Sequence, residues 1–380
     1  MSGRWVQRFS HPGRIPYEVW ERGVPRIKDQ FTDIAVYIYG SIEDAKDGAA
    51  FGGSGFLAMV PHEGNKNLHS FYVVTNRHVV KDAHTPVIRI NRNDGGEPER
   101  ITTREEDWTP HSNGDDVSVL PIKVSREHLN FLAIKISDFV TTQTLIDEDI
   151  GIGDDTVMVG RFISHEGKQQ NAPAVRFGNI AMMTGEKIAH PYGIEQESFL
   201  VETRSLPGYS GSAVLIYSPC AMNDMSSRRR GKKLPPLGTG AIFPPEETET
   251  LRSSLRPKGP YLLGIDFCHL QSKVPIATGV DNNGNDTAHP YGWFVRQNSG
   301  MAGVIPAWKI ADILNCEEFM EKRRKETERN NRSSASISLD TAGPRRTQVT
   351  PKGLEIPVRA EEVFFDDLKK ASRKITPDKK

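Results

Sequence analysis

The sequence predicts an all-β fold, a sandwich or barrel of short strands, and three observations carry that prediction. First, runs rich in β-branched and aromatic residues recur at 34–39, 55–60, 71–75, 86–90, 117–122, 156–162, 174–181, 199–203, 212–217 and 261–267. Such side chains suit a pleated, half-buried surface. Second, Gly, Pro, Asn and Asp separate these runs, and they punctuate strands by supplying tight turns. Third, no long helical stretches alternate with the runs, as a parallel α/β sheet would require.

Composition narrows the function classes. A chain of 380 residues holds one large domain or two smaller ones. The apolar set is 37% of the chain and 33 Gly add to it, an ordinary globular composition that rules out wholesale disorder. The 49 basic and 49 acidic residues cancel. No whole-protein charge therefore draws the chain to nucleic acid or an anionic membrane, and neither partner is expected. There is no apolar run of about 18 residues to cross a bilayer as a helix. The opening segment, MSGRWVQRFSHPGRIPYEVW, lacks the apolar stretch of a secretory signal. Three cysteines, Cys220, Cys268 and Cys316, make no disulfide framework. These two features predict a cytoplasmic location, where thiols stay reduced. Cys268 and His269 are adjacent but have no further ligands at metal-site spacing, so neither metal nor cofactor is expected.

Along the chain, residues 1–30 carry Arg, Pro and aromatics without a period and are expected to form an arm packed on the domain. The strand runs follow. Residues 218–259 lie between two of them and hold RRRGKK at 228–233 beside Leu-Pro-Pro, the composition of an inserted loop. That cluster is a hint of nucleic-acid contact, outweighed by its reading as a solvated charge run. Near the end, Trp308, Ile310, Ala311, Ile313 and Leu314 form an apolar helical face, with Pro306 suited to the first turn. Residues 321–380 are charged and Ser-rich, and a mostly disordered tail is expected there. His-Pro-Tyr-Gly occurs at 190–193 and again at 289–292, consistent with two similar turns.

Three segments carry residues capable of chemistry. In LPGYSGSAVL, Ser210 stands between glycines just before an apolar strand. Glycines allow a tight turn whose N–H groups converge on one point, as an oxyanion requires. In FYVVTNRHVV, a β-run ends on His78. In GDDVSVL, Asp116 opens a strand, with Asp115 beside it as the alternative if the register slips by one. Each has a bland explanation when taken singly: a turn serine, a core histidine, a capping carboxylate. Together they are the set that nucleophilic catalysis needs. The serine requires a base, and the base requires a carboxylate to hold its tautomer and stabilise the imidazolium.

At these residues the chain resembles the trypsin-like (chymotrypsin-fold) serine peptidases, and specifically an intracellular, bacterial-type member. Thr75-Asn-Arg-His78-Val-Val is similar to the family's His motif, Asp116-Val-Ser-Val-Leu to its Asp strand, and Gly208-Tyr-Ser210-Gly-Ser to its serine loop. Leu262-Leu-Gly-Ile265 and Ala302-Gly-Val-Ile-Pro306 before a helix extend the likeness over about residues 30–315. The resemblance implies two six-stranded antiparallel β-barrels, at about 31–140 and 141–304, with a terminal helix at 305–320 and the site between the barrels. It implies a serine endopeptidase acting on a protein or peptide substrate through His78, Asp116 and Ser210. Its oxyanion hole would be the N–H groups of Gly208 and Ser210. Arg204, six residues before the serine, and Asp266, Phe267 and His269 on the opposite wall would bind substrate. If Asp266 sets the pocket, cleavage follows Lys or Arg; if Arg204 does, it follows acidic residues; if both face the pocket they pair, and it suits small or neutral residues.

Departures from the family pattern narrow the expectation. Tyr209 replaces the acidic residue by which secreted relatives bind a freshly cut N-terminus, so that activation route is not expected. Ser212 stands where a second glycine is common. A cytoplasmic peptidase needs restraint, so a regulatory protein partner or the 218–259 loop is expected to supply it. An α/β-hydrolase requires the order serine, acid, histidine, which this chain reverses. The competing reading is a catalytically silent binding or regulatory module on the same fold.

Overall fold

The computed structural model describes residues 27, 29–48, 52–83, 85–162, 167–185, 187–189, 195–203, 206, 208–218, 258–280, 286–288, 291–340, 347–349 and 355–357. The contact pattern separates a unit of residues 1–62 with 66–320 from one of residues 63–65 with 321–380. Of the expected arm, residues 1–26 lie outside the described residues, as do most of the 218–259 insertion with its basic run, and Cys220.

The first half of the larger unit is one sheet. Its strands are β1 (Ala35–Tyr39), β2 (Gly53–His62), β3 (Asn65–Thr75), β4 (Val87–Ile90), β5 (Glu99–Thr102), β6 (Thr109–Pro110), β7 (Ser118–Ile122) and β8 (Ala133–Lys135). They lie in the order β5-β4-β1-β2-β3-β7-β6, with β8 pairing parallel to β2. A closed six-stranded barrel was the expectation here. The sheet instead stays open between β5 and β6, because β6 is only two residues long and makes only two residue pairs with β7.

The second half closes. It comprises β9 (Asp155–Gly160), β10 (Ala174–Met182), a hairpin of β11 (Lys187–Ala189) and β12 (Glu195–Glu197), β13 (Phe199–Glu202), β14 (Ala213–Ser218), β15 (Lys258–Pro275), a hairpin of β16 (Ala277–Val280) and β17 (Asp286–Ala288), and β18 (Phe294–Pro306). Strands β10-β13-β18-β15-β14-β9 form a closed six-stranded barrel, sealed by β9 against β10. The fold is therefore mostly β, chymotrypsin-like, with one closed barrel and one open half-barrel.

Alternation along the strands builds the core. In β14, Val214 and Ile216 fill the closed barrel with Leu263, Phe199 and Val304. Ala213 and Leu215 face the other way, joining Phe56, Val74 and Val119 of the first sheet. The period of two thus makes one strand serve two cores. A separate cluster of Val36, Leu57, Val73, Ile88 and Leu120 fills the first sheet. Arg89 and Arg161 are both buried over the Tyr39 ring, with guanidinium carbons 4.8 and 4.2 Å from its centroid. Arg89 also donates to the carbonyls of Ala45 and Gly167 and to the Asn171 side chain, so its charge is solvated by protein dipoles.

Short helices α1 (Ile42–Asp47), α2 (Arg77–Asp82) and α3 (Thr142–Asp147) fill turns. Helix α4 (Ala307–Leu314) follows β18 with Pro306 as its N-cap, one position before the first turn. Its apolar face is buried, and Trp308 meets Phe199 edge-on at 5.7 Å. Helix α5 (Glu317–Asp340) corrects the expectation of disorder from 321. Pairs at helical spacing, Glu321 with Arg324 at 2.6 Å and with Lys325 at 3.3 Å, favour helix where composition alone predicts none. Beyond it β19 (Thr347–Val349) pairs with β20 (Glu355–Pro357), and the rest of the tail lies outside the described residues.

Phe319, in the first turn of α5, is fully buried with its ring 5.2 Å from that of Tyr72. Phe319→Ala removes a ring from a close-packed site and is expected to lower stability by about 3–5 kcal/mol, read by chemical denaturation.

Candidate active site

His78 is delivered by the junction of β3 and α2. The strand ends at Thr75, and a single turn of helix carries His78 on its second residue. Asn76 occupies the N-cap but makes no cap hydrogen bond. Its side-chain amide instead donates 2.8 Å to the Asp116 carbonyl, fixing the carboxylate's backbone.

Asp116 sits just before β7 and is buried. Its Oδ1 accepts the His78 backbone N–H at 2.9 Å and its Oδ2 lies 2.6 Å from His78 Nδ1. A carboxylate only accepts, so Nδ1 carries the proton and Nε2 keeps the lone pair of a base. Two contacts from one carboxylate fix both the backbone and the ring of His78, which one contact would leave free to rotate.

The neighbouring Asp115 does something different, which settles the one-residue ambiguity of the sequence. Its Oδ1 accepts from Gln196 Nε2 at 2.8 Å. Lys309 of α4 lies 3.3 Å from its Oδ2, and His111 Nδ1 lies 2.9 Å away. Lys309 also reaches Glu197 at 3.0 Å. Burial lowers the Lys309 pKa, but Glu197 and Asp115 outweigh it and the net shift is upward. The ammonium therefore stays charged between its two carboxylates.

Gln196 escaped sequence reasoning. It is fully buried on β12, and its Oε1 accepts the Asp116 N–H at 3.0 Å while its amide holds Asp115. One side chain thus grips both carboxylate residues from the second half of the molecule. Nothing in the sequence signals it, because a glutamine in a polar three-residue strand has no motif.

The Ser210 loop is docked by a second unpredicted residue, Ser54. Its N–H donates to the Ser210 carbonyl and its Oγ to the Gly208 carbonyl, both at 2.8 Å. Thr75 Oγ1 donates to the Ser54 carbonyl at 2.7 Å, so the end of the His78 strand and the serine loop share one anchor. A methyl group added at the adjacent Gly53 would lie 2.7 Å from the Val79 methyls and 3.0 Å from the Ser210 carbonyl oxygen. The residue after His78 and the backbone of Ser210 thus converge on Gly53. Gly211 has φ +92° and presses against the Ser54 carbonyl, so no side chain fits there. Gly208 has φ +98°, and among the described residues neither its N–H nor that of Ser210 has a protein acceptor.

The wall opposite the loop is β15. Asp266 bonds the loop through its backbone, donating to the Ser212 carbonyl at 3.0 Å and accepting from Gly211 at 2.8 Å. Its side chain is fully buried. Burial and then the charges of Asp266 and Asp116 push the Cys268 thiol up to about 12, so it stays protonated and is no rival nucleophile. Tyr209 is raised as well, chiefly by burial, with Arg176 donating to its hydroxyl at 3.1 Å. Phe267 is buried. Half-buried His269, whose pKa burial lowers, lies 3.1 Å from the Gln271 amide. Arg204 lies outside the described residues.

Residues 53–217 match the trypsin-like peptidase domain family. No curated protein matches the chain. Among solved structures, the MamO protease domain from Magnetospirillum magneticum is 15% identical, covering 76% of this chain and 98% of its own, with a TM-score of 0.39. The HtrA-type protease AlgW with decapeptide is 14% identical over 72% of this chain and 51% of its own, at 0.34. The Rv3671c protease in its inactive form is 13% identical over 74% of this chain and 88% of its own, also at 0.34. The span that matches this family, residues 53–217, holds His78, Asp116 and Ser210.

Proposed function

We propose that the chain is a serine endopeptidase cutting a protein or peptide substrate through an acyl-enzyme. The observation that carries this reading is the double contact of Asp116 on His78, set beside a serine loop that shares its anchor with the His78 strand. Ser210 Oγ attacks the scissile carbonyl while His78 Nε2 takes its proton. His78 then returns the proton to the leaving amine, and water repeats the sequence on the ester. Asp116 holds the tautomer and balances the imidazolium. The N–H groups of Gly208 and Ser210 receive the oxyanion, each worth about 3 kcal/mol of barrier. The chemistry uses no metal or cofactor. Cytoplasmic residence and control by a regulatory partner remain part of the reading, resting on cysteine usage and the need to restrain such an enzyme.

Ser210→Ala is expected to abolish both peptide cleavage and labelling by a fluorophosphonate probe, with His78→Ala close behind, because triad members act as a unit. Asp116→Asn should lower kcat by about 10⁴. Cleavage at full rate in any of the three would remove that residue from the mechanism. Absence of probe labelling in the unaltered chain would favour a silent binding module.

Gln196 is a positioning residue in this scheme, acting through the Asp116 backbone. Gln196→Ala should lower kcat about tenfold or more with KM little changed. In Gln196→Glu the donor to Asp115 is lost, and adding Asp115→Asn restores a donor. Recovery of kcat in that double variant is the result expected, and its failure would leave Gln196 a packing residue.

For specificity, the buried carboxylate of Asp266 beside the serine loop supports cleavage after Lys or Arg. Profiling a random peptide library checks this, and a strong preference for Asp or Glu before the cut would transfer the pocket to Arg204.

A further inference from the structure

Helix α4 follows the last barrel strand and lies outside residues 53–217, the span that matches the peptidase family. It packs on β7, β15 and β18, with Ala307, Ile310, Ile313 and Leu314 buried. Lys309 and Asp312 stand three residues apart on it, the spacing that puts two side chains on one helical face. Both act around Asp115. Lys309 Nζ lies 3.3 Å from Asp115 Oδ2 and 3.0 Å from Glu197 Oε2. Asp312 Oδ2 lies 3.6 Å from His111 Nε2, and His111 Nδ1 is 2.9 Å from Asp115 Oδ2. The helix therefore reaches Asp115 directly through Lys309 and at second hand through His111.

The two carboxylates on Lys309 are the chain neighbours of one hydrogen bond. Asp115 precedes Asp116, whose N–H donates to Gln196 Oε1 at 3.0 Å, and Glu197 follows Gln196. The first segment opens β7 and the second is β12, which pairs only with β11 among the described residues. No backbone hydrogen bond joins the two segments among the described residues. Side chains hold them together: Gln196 by its bonds to Asp115 and Asp116, and Lys309 by its contacts with Asp115 and Glu197. Without the ammonium, two carboxylates converging on one point repel each other. Water screens them weakly there, because the side chains of Asp115 and Lys309 are only 13% and 17% exposed. That repulsion acts across the bond between Gln196 and Asp116.

We propose that Lys309 is a positioning residue for the triad, neutralising Asp115 and Glu197 so that Gln196 stays on the Asp116 N–H. This rests on the peptidase reading and deepens it, because it makes the helix after the barrel part of the support of the site. The effect passes from Lys309 to Gln196, then to Asp116, then to His78. Both carboxylate oxygens of Asp116 hold His78, so a tilt of Asp116 moves the imidazole with it. A misplacement of about 1 Å costs about a hundredfold in rate, so a partial slip is already visible in kcat.

The test uses the full chain. Lys309→Met keeps the apolar stem and removes the charge. Labelling by a fluorophosphonate probe separates folding from positioning: its final stoichiometry counts folded sites, and its rate constant reads the readiness of Ser210. The rate constant and kcat should each fall about tenfold or more, with KM and final stoichiometry little changed. Amide exchange read by NMR should show the Asp116 N–H exchanging about tenfold faster or more. Lys309→Met/Glu197→Gln removes the opposing charge as well and should recover both the rate constant and the slow exchange. Unchanged labelling and exchange in Lys309→Met would overturn the proposal. So would a loss that the double variant fails to recover, since Lys309 would then serve packing alone. If Lys309→Met does not fold, the double variant decides, because its net charge is that of the parent: parent-like labelling and exchange support the proposal, and a slow or unfolded double variant overturns it. If the unaltered chain neither cleaves peptides nor takes the probe, the peptidase reading falls, and the exchange of the Asp116 N–H in the variants still decides the role of Lys309.

Discussion

Ser54 is the constraint on which the site depends. It is a buried residue at the start of β2 whose N–H and Oγ bond across the junction between the two halves while its carbonyl serves its own sheet. Its N–H and Oγ hold the carbonyls of Ser210 and Gly208, its Oγ accepts the Arg161 N–H at 2.8 Å, and its carbonyl receives Thr75. Holding two carbonyls of the serine loop turns that backbone about a fixed axis. The Ser210 N–H, which lies between those two carbonyls, then has one orientation rather than several. Gly211 follows from the same contact, because the loop approaches the Ser54 carbonyl too closely for a Cβ.

A second constraint runs behind His78. Two adjacent aspartates at the head of β7 point to different partners, one to the imidazole and the other to Gln196, Lys309 and His111. The chain bends at Asp116, where the Val117 N–H donates to the Asp115 carbonyl at 2.7 Å, so the divergence belongs to a tight turn of the backbone. Asp115 thereby ties the first sheet to α4, and Gln196 ties β12 to both aspartates. The Asp116–His78 pair is braced from the second half of the molecule as well as from its own sheet. Burying this many charges is tolerable only because each has a partner.

Strand β15 serves unlike ends. At its root β15 belongs to the closed barrel and fastens the serine loop, and past Ile265 it sheds β14. Register shifts at Asp266/Cys268 and at His269/Gln271 mark that departure. Bulges increase local twist and bend a strand away from its sheet, so the barrel can close while β15 and β18 continue outward together.

What the sequence determined by itself is the set of local patterns: the strand runs, the apolar face of α4, and the residues His78, Asp116 and Ser210 in their motifs. Periodicity and turn chemistry are written in neighbouring residues, and every one of these features needs only neighbours to be seen. It missed β18 and the short strands β5, β6, β8, β11, β12, β16 and β17, whose residues become strands by pairing rather than by propensity. It placed disorder where α5 is helical, because composition counts charges without their spacing. Tertiary structure alone decided that Asp116 rather than Asp115 meets the imidazole, that Ser54 and Gln196 hold the two arms of the site, and that the first sheet stays open. Each of these is a contact between residues distant along the chain. A hydrogen bond between Asp116 and Gln196 leaves no trace in the composition or spacing of either segment, since it exists only where the fold brings them within 3.0 Å.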